Sequence, residues 1–238
     1  MNQQPTLPRS SLLQSSLLQP SLPRGGQPGS LKLAIDIDDT LSLTAWHWAE
    51  RMMGLFPLPE RTVAGLISQY RRASLVPEWG HPEAQNLFSS WRICEEITLS
   101  YSPVAGAQHA LKVLSERIEL EYLTMRPRSL YAATQAWLKL HGFPSAEIVT
   151  CPDSIDYPLR AAWKADYLHR SCPPLVGIVE DDERVALSLP EGYQGTVFLF
   201  SHLTAPRSDI AVIPCPDWDA VNRAIEAAIP RQLQVNVE

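Results

Sequence analysis

The sequence predicts an α/β protein built on a doubly wound parallel sheet, with a helical segment inserted after the first strand. Three observations carry this. Short apolar runs recur along the chain, helical patterns lie between most of them, and one long stretch holds helical patterns alone. Strands alternating with amphipathic helices imply a parallel sheet covered on both faces.

The first run, Leu31-Lys32-Leu33-Ala34-Ile35-Asp36-Ile37, reads as a buried strand. Similar runs follow at Ile118 to Leu123, Glu147 to Thr150, Leu175 to Val179, Thr196 to Phe200 and Ile210 to Ile213. Between them, Ala107, Ala110, Leu111 and Leu114 repeat at helical spacing, as do Leu130, Ala133, Ala136, Trp137 and Leu140. Val221, Ala224, Ile225 and Ala228 give a last helix. The alternation fails between Asp39 and Ser102. Three helices are expected there: Thr44 to Met53, Glu60 to Leu75 with Val63, Leu66, Ile67 and Tyr70 in register, and Pro82 to Leu99 with Leu87, Trp91, Cys94 and Ile97 in register. Pro57, Pro59, Pro77 and Pro82 punctuate them. The expected organisation is therefore a core from residues 31–43 and 103–238, and a helical insertion over 44–102.

Residues 1–30 are Ser, Leu, Gln, Pro and Gly for the most part, with no acidic residue and only Arg9 and Arg24 as bases. Such a segment buries too little apolar surface to fold and is expected to be a disordered tail. A signal peptide fits it poorly, since no continuous apolar stretch follows a charged start. Its Ser-rich, acid-free character is also compatible with a transit peptide. The stretch Gly25-Gly26-Gln27-Pro28-Gly29-Ser30 precedes a strand and lacks a Lys-Ser/Thr end, so it reads as linker and not as a phosphate loop.

The 238 residues carry a net charge of −6 and a pI near 5.5. A nucleic-acid polymer is a poor partner for such a chain, because polyanion binding needs clustered Lys and Arg. A small phosphorylated substrate needs only one or two local positive groups. No run approaches the ~18 apolar residues of a membrane span. Cys94, Cys151, Cys172 and Cys215 are scattered and form no C-x-x-C pair, which suits reduced thiols in the cytoplasm. Nothing in the sequence sets an oligomeric state.

The chemistry concentrates at predicted strand ends. Asp36-Ile37-Asp38-Asp39-Thr40 closes the first strand. Ligands of open parallel sheets bind at C-terminal strand ends. Carboxylates ~4 Å apart repel by about 4 kcal/mol at an effective dielectric of 20, so a cation or a shared proton is called for. A helix-capping turn is the structural alternative. A second acidic group, Glu180-Asp181-Asp182, follows Gly177-Ile178-Val179, where it would serve equally as a helix cap. The second strand ends in Thr124, followed by Met125-Arg126-Pro127. The Thr124 hydroxyl can bond a phosphate oxygen or cap a helix. Lys164 lies between the two, just before a short helical pattern, where a solvated surface lysine is the alternative role.

In this order the four features resemble the haloacid dehalogenase-like (HAD) hydrolase superfamily over roughly residues 31–215. Asp36-Ile37-Asp38-Asp39-Thr40 matches its D-x-D-x-T motif, Thr124 its second motif, Lys164 its third and Glu180-Asp181-Asp182 its fourth. The helical insertion is similar to that superfamily's C1-type cap on a Rossmann-like core. The run from Pro103 through Gly106, Ala110 and Leu111 to Thr124-Met125-Arg126-Pro127 is similar to the 5′(3′)-deoxyribonucleotidase and nucleotidase branch.

The resemblance implies a Mg²⁺-dependent phosphatase for a small phosphomonoester, with a nucleoside monophosphate as one candidate. Asp36 would be the nucleophile and Asp38 the general acid and base. Thr124 and Lys164 would hold the phosphate. The metal would take the Asp36 carboxylate, the Asp38 backbone carbonyl and the Asp181 carboxylate, with Asp182 as the alternative to Asp181. Glu180 would support the site from behind. Asp39 stands where glycine is common, and Met125 where many nucleotidases carry a small polar residue. The second carboxylate, Asp38, favours phosphate esters over halides, since a halide leaving group needs no acid. Trp46, within Trp46-His47-Trp48, would face the substrate or pack the insertion, and Arg126 would reach an anion or form a surface ion pair. Trp79 and Trp91 are expected to pack the insertion. A non-catalytic phospholigand-binding module and a phosphotransferase are the alternatives.

Overall fold

The computed structural model describes residues 31–171 and 175–228. The tail expected over residues 1–30, Cys172 and residues 229–238 lie outside the described residues. The chain enters at β1 (Lys32–Ile35) and then runs through four helices, α1 (Thr44–Leu55), α2 (Val63–Tyr70), α3 (Pro82–Trp91) and α4 (Glu95–Leu99). It continues through α5 (Ala107–Ser115), β2 (Glu119–Pro127), α6 (Tyr131–Leu140), β3 (Glu147–Cys151), α7 (Arg160–Arg170), β4 (Gly177–Glu180), α8 (Glu183–Ser188), β5 (Thr196–Phe200), β6 (Val212–Cys215) and α9 (Trp218–Ala228). No described helix is long and apolar enough to cross a membrane.

The strands form one six-stranded parallel sheet in the order β3-β2-β1-β4-β5-β6. The order reverses between β1 and β4, and at such a switch point the loops leave in opposite directions and open a crevice. Strand residues alternate between two packed faces. Leu33, Ile35, Tyr122, Val179 and Phe198 join Leu111 and Leu114 of α5, Trp137 of α6 and Val221 and Ile225 of α9 in one apolar cluster. Ala34, Ile178, Val197 and Leu199 join Ala161, Ala165 and Leu168 of α7 and Val185 of α8 in the other. β4 runs so close to β5 at Gly177 that a Cβ there would lie 2.0 Å from the Thr196 carbonyl oxygen, so only glycine fits.

Several elements depart from the sequence expectation, each for a local reason. The second insertion helix is short. Thr62 caps α2 by accepting the Gly65 N–H at 3.1 Å, and Arg71 ends it at φ +60°. The third is broken. Phe88 and Trp91 bury while Leu87 and Cys94 stay half-exposed, and Cys94 turns extended before Glu95 and Glu96 open α4. Acidic residues in a first turn favour such a fresh start. β1 stops at Ile35, and β6 begins two residues later than expected. β2 continues past Thr124 to Pro127, with a register shift between those two residues. Lys164 falls inside α7 and not ahead of it.

Candidate active site

Asp36 follows β1 directly, and its N–H donates to the Val179 carbonyl of β4 at 2.9 Å, which fixes it at the switch point. The chain then turns tightly, with Leu41 and Ser42 N–H groups both donating to the Ile37 carbonyl at 2.8 and 2.9 Å. Asp39 sits in this turn at φ +60°, a conformation that asparagine, aspartate and glycine tolerate best. Its carboxylate accepts the Ala45 N–H at 2.7 Å and so caps α1. Thr40 is fully buried beside it; its carbonyl accepts the Trp218 indole N–H at 3.2 Å, and its hydroxyl has no partner among the described residues.

Across the crevice, β4 delivers Glu180 and Asp181. One carboxylate oxygen from each of Asp36, Glu180 and Asp181 lies within 4.8 Å of the others. Lys164, fully buried on α7, pairs with Asp36 and, at 2.6 Å, with Glu180. One ammonium does not neutralise this cluster. Burial raises the Asp36 carboxyl above its ordinary value despite Lys164. Burial and the neighbouring carboxylates push Glu180 and Asp39 up to about 8 and Asp181 well upward. Lys164 is raised by its two acidic partners against burial. The donor set is oxygen only, with no His or Cys in the cluster, and the excess charge suits a hard divalent cation such as Mg²⁺.

Asp38 faces a different environment. Arg126 grips it with Nε at 3.0 and 3.2 Å and Nη2 at 2.8 Å, and the Thr44 hydroxyl donates to it at 2.6 Å. Although burial opposes it, the Arg126 guanidinium holds the Asp38 carboxyl below its ordinary value. Arg126 is itself buried between Tyr101 and Trp137, so it is neither a surface ion pair nor a free anion receptor in this structure. The register shift in β2 aims it inward, and Thr124 Oγ1 accepts the Arg126 N–H at 3.2 Å.

A cavity of about 100 Å³ opens over these groups. Asp36, Asp38, Asp39, Asp181, Asp182, Met125 and Arg126 line it from the strand ends. Trp48, Arg72, Trp91, Arg92 and Tyr101 line it from the helical stretch, with Tyr157 and Arg160 from the start of α7. Thr124 and Lys164 are fully buried behind these lining residues. Asp182 is already engaged. Its carboxylate caps α8 through the Arg184 N–H at 3.0 Å, pairs with the Arg184 side chain and with Arg72, and is held low by them. Trp46 is turned to Glu50, which accepts its indole N–H at 2.8 Å; Trp48 is the ring that reaches the cavity.

Sequence reasoning missed Trp48 as the specific ring, and it missed Arg72, Arg92, Tyr101, Tyr157 and Arg160 altogether. For Arg160 a signal existed. It precedes Lys164 by four residues, which on a helix places both on one face. Arg160 spends Nη1 on the Met125 carbonyl at 2.9 Å.

No protein-family model and no curated protein matches the sequence. Solved structures do match the fold. A predicted phosphatase from Clostridium acetobutylicum superposes with a TM-score of 0.52 at 11% identity, covering 83% of this chain and 99% of that one. YfnB from Bacillus subtilis, described as a candidate HAD-hydrolase bound to magnesium, gives 0.51 at 14%, with 82% and 98% covered. A haloacid dehalogenase-like family hydrolase from Streptococcus pneumoniae gives 0.51 at 14%, with 84% and 99% covered. With a parallel sheet switching between β1 and β4, helices inserted after β1 and carboxylates at both central strand ends, the chain has the fold of the haloacid dehalogenase-like hydrolases.

Proposed function

We propose that the protein is a Mg²⁺-dependent phosphatase acting on a small phosphomonoester, a nucleoside monophosphate being one candidate. The observation that carries this reading is the convergence of Asp36, Glu180 and Asp181 on one point beside the cavity, with Lys164 on Asp36. Residues 44–102 act as a cap over a core of 31–43 and 103–228. Mg²⁺ would be held by the carboxylates of Asp36 and Asp181 and the Asp38 backbone carbonyl, where it would supply positive charge that lets an anionic nucleophile approach an anionic ester. The engagement of Asp182 with two arginines supports Asp181 for that role.

In this scheme the Asp36 carboxylate attacks phosphorus and forms an aspartyl-phosphate while the ester oxygen leaves. Lys164 steadies Asp36 and neutralises charge as it develops. Thr124 orders the second phosphate-facing turn through the Arg126 N–H. Asp38 donates a proton to the leaving oxygen and later takes one from the attacking water. At rest Arg126 keeps Asp38 ionised. An arriving phosphate, as a like charge beside Asp38, would raise its proton affinity, and Asp38 would take up a proton from solvent or from a monoanionic ester before giving it to the leaving oxygen. The unpaired thiols Cys94, Cys151 and Cys215 fit a cytoplasmic setting within this reading.

The test is phosphate release from a panel of sugar, nucleotide and lipid-head phosphates, with Mg²⁺ and with chelator. Turnover of at least one ester that stops on chelation is the expected result. No release from any ester, with Mg²⁺-dependent ligand binding intact, would place the protein among non-catalytic phospholigand binders.

A further inference from the structure

The guanidinium groups around the cavity are not equivalent. Arg126 is committed to Asp38 and Arg72 to Asp182. Arg160 donates Nε to the Ile155 carbonyl at 3.1 Å and Nη1 to the Met125 carbonyl at 2.9 Å. Arg92 pairs with no carboxylate among the described residues, and its Nε is buried without an acceptor. It leaves the chain at the break between α3 and α4 and lies over the Tyr157 ring at 4.1 Å, with the Trp48 ring at 5.6 Å. Ring contacts occupy the faces of a guanidinium and leave the in-plane N–H edge for a ligand. Burial, Arg160 and Arg184 disfavour its charge, and the Tyr157 hydroxyl offsets them only in part, so its affinity for a proton is lowered. A desolvated cation with like-charged neighbours and no counter-ion is costly, and an anion supplied by a ligand relieves that cost.

We infer that Arg92, assisted by Arg160, forms a second anion subsite, so that the preferred substrate is a phosphomonoester carrying a further anionic group on its leaving-group side. This rests on the phosphatase reading above. A carboxylate and a second phosphate both match the fork of N–H donors. The faces of Trp48 and Tyr157 that meet Arg92 are not free to stack on a base, which favours an acidic tail over a bare nucleoside.

The experiment measures Mg²⁺-dependent phosphate release from p-nitrophenyl phosphate, thymidine 5′-monophosphate, 2-phosphoglycolate and adenosine 3′,5′-bisphosphate by the full chain and by Arg92→Gln and Arg92→Lys. At least one of the last two esters is expected to exceed the first two tenfold or more in kcat/KM. Arg92→Gln should erase that preference at least tenfold, through KM more than kcat, and Arg92→Lys should restore part of it. Whichever acidic ester leads identifies the tail as carboxylate or phosphate. Equal losses on all four esters, or no preference in the parent protein, would overturn the subsite while leaving the phosphatase reading intact. Calorimetry of the two acidic esters on Asp36→Asn, with and without Arg92→Gln, separates the two claims. Binding that needs Arg92 without turnover in the parent keeps the subsite and removes the phosphatase; no Arg92-dependent binding removes the subsite.

Discussion

On its strand-end side the cavity is lined by Asp36, Asp39 and Asp181, with Glu180 and the one ammonium of Lys164 buried behind Asp36, whereas its helical side brings Arg72, Arg92, Trp48 and Trp91. The first side carries more negative charge than its own residues balance. The second presents a cation, Arg92, with no carboxylate partner among the described residues. The two sides also rest on different supports. Asp36 and Glu180 are set by parallel register, through bonds such as Asp36 N–H to Val179 and the pairing of Glu180 with Leu199. Arg72 and Arg92 are set by irregular chain, next to the left-handed Arg71 and in the α3–α4 break. Fixed strand ends suit bond-making, where placement errors are costly. Irregular segments suit selection, since they change without disturbing the sheet.

The largest test of this division is Asp36→Asn. It removes the nucleophile and one charge from a crowded cluster. Phosphate release should fall at least about 10⁴-fold, while the melting temperature without Mg²⁺ should hold or rise. A variant that retains turnover would contradict the assignment of the strand-end side. Next come the two buried cations. Lys164→Met leaves Asp36 and Glu180 without their shared partner, and Arg126→Gln leaves Asp38 facing a neutral amide. Removing one member of a buried ion pair costs about 3–5 kcal/mol. Denaturant unfolding should show the full loss for Lys164→Met and a smaller one for Arg126→Gln, because Asp38 keeps 32% side-chain exposure and the Thr44 hydroxyl.

Mg²⁺ provides a graded test. Glu180 and Asp39, pushed up to about 8, keep protons in the folded protein that an unfolded chain has lost above pH ~4.5. The folded state therefore binds more protons between about pH 4.5 and 8, and stability without metal should fall as pH rises through that window. Asp38 and Asp182 are shifted the other way and contribute stability that is lost only as pH falls below the ordinary carboxylate range. Saturating Mg²⁺ replaces the protons, so thermal melts from pH 5 to 8 should flatten when it is added. Identical slopes with and without Mg²⁺ would argue against a cation at the strand ends.

What the sequence exposed follows the same division. The strands and the acidic strand ends stand out because a buried parallel strand reads as a continuous apolar run and charge at its end is conspicuous. Lys164, inside α7, reads alone as a surface lysine and is singled out only by the family resemblance. Even so, Asp36 and Asp181 meet only through the β1–β4 pairing, which no local pattern announces. The helical side was far less legible. Trp46 and Trp48 are equally aromatic, and only the rotation of α1 sends one to Glu50 and the other to the cavity. Arg92 looked like the interior of one long helix, because Leu87, Trp91, Cys94 and Ile97 keep helical spacing across a break made by packing and by Glu95 and Glu96. Arg126 could be seen as a charged residue after a strand, but the register shift that turns it onto Asp38 is a property of the sheet.

The smallest effect is expected at Asp39, where three influences nearly cancel. Its φ of +60° disfavours most side chains, its carboxylate caps α1 through the Ala45 N–H, and its charge adds to the strand-end repulsion. Asp39→Asn keeps a side chain suited to the left-handed turn and an oxygen for Ala45, and removes only the charge. At pH 5.5, where Asp39 is protonated, the variant should melt with the parent. At pH 8.5 without Mg²⁺ it should be more stable by up to about 1 kcal/mol, or ~2–4 °C for a chain of this size. Asp39→Ala loses both the cap and the turn preference, and should be less stable by about 1–2 kcal/mol at either pH. If Asp39→Asn tracked Asp39→Ala at both pH values, backbone capping and not charge would be the work of this carboxylate, and the cluster that calls for a cation would narrow to Asp36, Glu180 and Asp181.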